Sequence, residues 1–117
     1  MTEQLALPLV SDRRTTGLLF VVSRPELFRD DFAEWLGDNW SVWSAFEIES
    51  NKVWDSGRHH YSARTIGEFL RHQTMVCEAR GEFKVNNNRF PDMARLYALY
   101  YPGRDGFFEF RHSQRAA

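Results

Sequence analysis

The chain has one cysteine, two lysines and four prolines among its 117 residues. A single thiol excludes an internal disulfide and suits a reducing compartment. The longest apolar run, residues 17–22, is far short of the roughly 20 residues a membrane-spanning helix needs. Residues 1–10 carry no basic cluster, and Asp12, Arg13 and Arg14 follow directly, so no secretory signal peptide is expected. The expected compartment is therefore the cytoplasm. No P-loop, GxGxxG or GxSxG pattern occurs, which removes the common phosphate cradles and the nucleophile elbow. A zinc site needs several Cys, His or carboxylate ligands at workable spacing. Here Cys77 is alone, and His59 and His60 are adjacent instead of sharing a helical face. No cofactor and no metal site is expected.

What is present is apolar and aromatic. Hydrophobic residues make up 43% of the chain and aromatic ones 15%, enough for a real core in one domain. Residues 1–16 lack a consistent period and read as a loose extension, leaving residues 17–117 as the domain. The β-branched run at residues 17–22 predicts a short buried strand or a docked extended arm. Pro25 and Glu26 open a helix carrying Leu27, Phe28, Phe32, Trp35 and Leu36 at helical spacing, closed by Gly37. A second helix is predicted from about Ser41 to Asp55. A third runs to about Gln73, capped by Thr65 with Glu68, or by Ser62. Residues 75–79 and 82–85 read as two short strands around an Arg80-Gly81 turn. A fourth helix is predicted from Pro91 to about Tyr101. Residues 107–111 alternate as a half-buried strand does. The expected fold is therefore α+β and mostly helical: about four helices, a small hairpin and a C-terminal strand. That order also fits a winged helix, with the fourth helix, or equally the third with Arg64, Glu68, Arg71 and His72, in the major groove and residues 103–111 as the wing.

The net charge of −1 hides an asymmetry. Residues 1–55 hold ten acids and five bases, and residues 56–117 hold six acids and ten bases. Thirteen of the fifteen bases are arginine, whose planar fork grips phosphates and carboxylates. An Arg-rich half makes nucleic acid a candidate partner. Internal neutralisation of one half by the other explains the same asymmetry. The densest polar cluster, Arg58, His59, His60, Tyr61, Ser62 and Arg64, opens a helix, where backbone N–H groups attract phosphate. A solvated loop anchored by Tyr61 is the plainer alternative. A second cluster, Lys84, Asn86, Asn87, Asn88 and Arg89, precedes the fourth helix. Asparagine reads adenine through paired hydrogen bonds, and it also caps helices. Arg64 and Arg71, seven apart, share a helix face. Arg95 and Arg111 suit internal ion pairs.

Several separated motifs stand in fixed order: His60-Tyr-Ser-Ala-Arg-Thr-Ile66, Phe83-Lys-Val-Asn-Asn-Asn88, Met93-Ala-Arg-Leu-Tyr97 and Phe107-Phe-Glu-Phe-Arg111. Over residues 25–111 the chain resembles a group of small proteins encoded by bacteriophages and prophages. The resemblance implies a phage or mobile-element setting in a bacterial host cell, and no activity of its own. Three functions follow as expectations. The first is a non-enzymatic protein that binds duplex DNA or regulates transcription, with Arg58, His60, Arg64, Arg71 and Lys84 on phosphates and Asn87, Asn88 and Arg89 toward bases. The second is a protein that binds and inhibits a host factor. Its acidic first half (Glu26, Asp30, Asp31, Glu34 and Asp38) would dock on a basic protein surface. The third is a small nuclease built on His59, His60, Asn87 and His112.

Overall fold

A computed structural model describes residues 13–79 and 85–109 of the chain. Among them lie five α-helices and no strand: α1 Arg13–Ser23, α2 Phe32–Asp38, α3 Trp40–Asp55, α4 Ala63–Gln73 and α5 Arg89–Tyr100. Short 3₁₀ turns at Pro25–Leu27 and Pro102–Arg104 follow α1 and α5. The expected α+β class is thus corrected to an all-helical one.

Two of the β expectations fail for a packing reason, and the third lies partly outside the described residues. Residues 17–22 form the body of α1, not a strand. Val21 is buried, and Gly17 lets the Tyr100 hydroxyl and the Trp40 ring approach where a Cβ would collide. Packing on α2 and α5 outweighs the weak strand preference of β-branched residues. Residues 75–79 are irregular, and the Arg80-Gly81 turn with residues 82–84 lies outside the described residues. Near the C-terminus a single parallel bridge joins Tyr61 to Phe108, with the Tyr61 N–H donating to the Phe107 carbonyl at 2.9 Å. Phe107 and Phe108 are both buried, although a strand sends consecutive side chains to opposite faces. Phe110 and Arg111 lie outside the described residues.

The long helices form where the apolar spacing places them. Trp43 and Phe46 of α3, Ile66 and Leu70 of α4, and Met93, Leu96 and Tyr97 of α5 are buried together. Ser62 is the cap of α4, its hydroxyl accepting from the Thr65 N–H at 3.1 Å. Gly57, at φ 99°, follows the end of α3 in the left-handed region that favours glycine. The helix expected from Pro25 through Gly37 breaks into a 3₁₀ turn, an irregular stretch at residues 28–31, and α2. Helix α1 begins at Arg13, inside the stretch read as a loose extension.

Helix α5 is the central element and packs on α1, α3 and α4. Phe90, Asp92, Met93, Ala94, Leu96 and Tyr97 are all buried. A helix that enters a DNA groove must present an exposed face. This one is enclosed, and no strand lies among the described residues to form a wing, so the winged-helix assignment is corrected with the class. Helices α4 and α5 meet closely at Gly67, where a methyl group would run into the Phe90 ring.

Candidate binding cleft

Two polar regions sit on α5. At its C-terminal end the groups satisfy one another. Tyr97 Oη donates to Asn51 Oδ1 at 2.6 Å, and Asn51 Nδ2 donates to Tyr101 Oη at 3.1 Å. Tyr101 Oη donates to Glu47 Oε2 at 2.6 Å, and Arg13 pairs with the same carboxylate. Arg104 donates to Asn51 Oδ1 at 2.8 Å and to Tyr97 Oη at 2.7 Å, while its guanidinium lies 4.8 Å from the Trp54 ring centre. Burial raises the Tyr97 hydroxyl above its usual range and pushes Tyr100 up to about 12.

The N-terminal end differs. Asp31 immediately precedes α2, yet its carboxylate does not cap that helix. It instead accepts two hydrogen bonds from the Arg89 guanidinium, each at 2.9 Å. Those bonds hold the Asp31 carboxyl below its usual range. The Arg89 guanidinium lies 5.4 Å from the Trp35 ring centre, over its face. Beside this pair opens a cleft of about 300 Å³, lined by Asp31, Glu34, Asp38, Glu78, Trp35 and Arg89. Asn39 closes one side. Its Nδ2 donates to the Trp35 carbonyl at 3.0 Å, and its Oδ1 accepts from the Ala79 N–H at 2.7 Å, tying residues 75–79 to the α2–α3 junction.

Sealed behind this end are polar atoms without hydrogen-bond partners: Trp35 Nε1, Arg89 Nε and Asp92 Oδ2. Trp35 is 6% exposed and Asp92 1%. Burial raises the Asp92 carboxyl above its usual range, although Arg29 Nε stands 4.0 Å away. Trp43, wholly buried against Phe46 and Tyr100, also leaves its indole N–H without an acceptor, but it lines no part of this cleft.

The residues expected to hold DNA are distributed differently. Arg58 and His60 are exposed on the connector before α4, with the Arg58 guanidinium 6.0 Å from the Tyr61 ring centre. On α4, Arg64, Arg71 and His72 stand at 3.7, 3.6 and 3.0 Å from the single carboxylate of Glu68. Arg71 also donates to Asn87 Oδ1 at 2.6 Å. Asn86 Oδ1 accepts from the Asn88 N–H at 2.8 Å, a turn that leads into α5. Asn88 occupies the cap position without a side-chain bond to the helix. Arg89 is turned toward Asp31. Lys84 lies outside the described residues. The structure therefore joins Arg64, Arg71 and Asn87 through Glu68 and Arg71, and it separates Arg89 from them by pairing it with the acidic half.

Among the described residues, no three His, Cys, Asp or Glu side chains converge to hold a metal ion. No described helix is long and apolar enough to cross a membrane. Comparison with protein-family models, with curated proteins and with solved structures gives no match.

Of the cleft residues, Asp31, Glu34 and Asp38 were already visible as an acidic run in the sequence. Trp35 reads there only as a core residue, and nothing singles out Glu78. Their meeting depends on Asn39 drawing residues 75–79 across 40 positions of chain, which no local pattern shows.

Proposed function

We propose that this chain is a non-enzymatic protein-binding domain that docks its acidic cleft on a basic surface of a partner. One observation carries the reading. Four carboxylate side chains line a single open cleft, and Arg89, the one described cation lining it, is already neutralised by Asp31. Such a cleft attracts cations and steers their approach. The phage resemblance makes a protein of the bacterial host the natural partner, whose basic site the domain would cover. DNA is the weaker reading. Arg71 is shared between Asn87 and Glu68, and Arg89 faces a carboxylate of the leading half, so the trailing-half arginines offer a phosphate chain less than their number suggests.

The test is fluorescence anisotropy with two labelled probes, an octapeptide alternating arginine with glycine and a short DNA duplex, between ~50 and ~200 mM salt. The expected result is salt-sensitive binding of the peptide, weakened about tenfold by combining Glu34→Gln with Asp38→Asn, with the duplex unbound. Duplex binding that falls steeply with salt and is lost in Arg64→Ala and Arg71→Ala overturns the proposal in favour of DNA.

A further inference from the structure

The connector between α3 and α4 carries a layered set of flat groups, and none of them lines the acidic cleft. Trp54, in the last turn of α3, is half-buried and meets Phe107 edge to face, with ring centres 5.5 Å apart. The His59 imidazole stacks on the Trp54 indole, with 3.7 Å between ring centres and 13° between planes. The Arg104 guanidinium lies 4.8 Å from the Trp54 ring centre and 4.6 Å from that of Tyr101. Its hydrogen bonds to Asn51 and Tyr97 hold it in place. The stack is thus anchored in the fold, while His59, its outer layer, stays exposed.

The sequence around the stack is basic. Residues 56–67 contain Arg58, His60 and Arg64 and no acid. Arg58 and His60 flank His59 and are exposed. Arg64 is 72% exposed at its side chain, and its contact with Glu68 is of the exposed kind that opens cheaply. A fixed, exposed ring gives a nucleobase a face to stack on, and cations beside it hold the neighbouring phosphates. Single strands are bound in this way without sequence preference. A duplex cannot use such a ring, because its bases already stack on one another. An anion without bases leaves the ring unused. We infer that the connector between α3 and α4 binds single-stranded nucleic acid, with one base stacked on His59 and the flanking phosphates at Arg58 and Arg64. The inference goes beyond the acidic-cleft reading and does not depend on it.

The experiment measures fluorescence anisotropy of a labelled thymidine octanucleotide, an abasic oligomer of the same length and a short duplex. Wild type is expected to prefer the thymidine oligomer to the abasic one by about tenfold, within the range that stacking of one base supplies, and to leave the duplex unbound. His59→Leu keeps Trp54 covered and removes the stacking ring. It is expected to bring the two oligomers within about twofold, with its thermal midpoint confirming that it folds. Arg58→Gln is expected to weaken both oligomers alike and to lower the salt slope by about 0.7, the share of one phosphate on a single strand. A preference for bases that survives His59→Leu overturns the inference. Equal binding of the two oligomers by wild type, binding of neither, or a duplex bound as tightly as the single strand overturns it as well. The arginine–glycine octapeptide reports on the acidic cleft separately, so the two readings fail by different results.

Discussion

The two ends of α5 use similar side chains and reach opposite outcomes. At the C-terminal end, Tyr97, Tyr101, Asn51, Glu47 and Arg104 close a network in which each named polar group has a partner. At the N-terminal end, an equally polar set leaves Trp35 Nε1, Arg89 Nε and Asp92 Oδ2 without partners and opens a cleft beside them. A closed network rigidifies and specifies packing, so the first end reads as architecture. The second end differs in its open acidic cleft, lined by Asp31, Glu34, Asp38 and Glu78, and that is where the proposed basic partner would dock.

Substitutions that exchange these roles test the contrast. The largest effect is expected at the closed end. Asn51→Leu removes the acceptor of Tyr97 and Arg104 and the donor to Tyr101, and chemical denaturation should show a loss of about 2–3 kcal/mol. Next comes the contact that seats the start of α5 on α4. Gly67→Ala forces the Phe90 ring aside, at about 2 kcal/mol by the same measurement, and it should also shift the environment of neighbouring Arg89. At the open end, Arg89→Met should cost less, about 1 kcal/mol, because the Asp31 carboxylate that loses its two hydrogen bonds is 61% exposed and returns to water. If Arg89→Met destabilises as much as Asn51→Leu, the contrast between the ends is broken.

The smallest effect is one of pH. The folded-state pKa of Asp92 is raised by burial, so the stability it contributes is fully present below the ordinary Asp value of about 4 and is lost as pH rises through the raised value. Asp31 has the opposite sign. Arg89 lowers its pKa, so its contribution is present above the ordinary value and is lost as pH falls through the lowered one, damped by exposure. Asp92→Asn removes the first dependence and keeps the second. Thermal midpoints across the acid range should therefore show wild type losing ground to this variant as pH rises. An unchanged difference across that range would mean that Asp92 does not titrate as its burial dictates.

Much of the helical frame is legible in the sequence. The helices expected at about residues 41–55, from a Thr65 or Ser62 cap to about 73, and from 91 to about 101 match α3, α4 and α5 to within three residues. The errors share a cause. Residues 17–22 and 107–111 have the composition of strands, but a strand needs a neighbour, and neighbours are set by distant packing. Gly17 fits beneath Tyr100 and so draws its run into a helix, and Phe107 and Phe108 are both taken into the core. The cleft was half visible. Its acidic residues stand in one run, yet Arg89 looks like a base-reading residue until Asp31, 58 positions earlier, is seen to hold it. Orphan donors such as Trp35 Nε1 leave no mark in a sequence, because burial and partnership belong to three dimensions.

The most direct measurement is a map of backbone and indole N–H shifts by NMR on titration with the arginine–glycine octapeptide and, separately, with duplex DNA. The account predicts that the peptide moves residues 31–39, Glu78, Arg89 and the Trp35 indole while the duplex moves none of them. A duplex that shifts Arg58, Arg64, Arg71 and Asn87, with a peptide that shifts nothing, would contradict it.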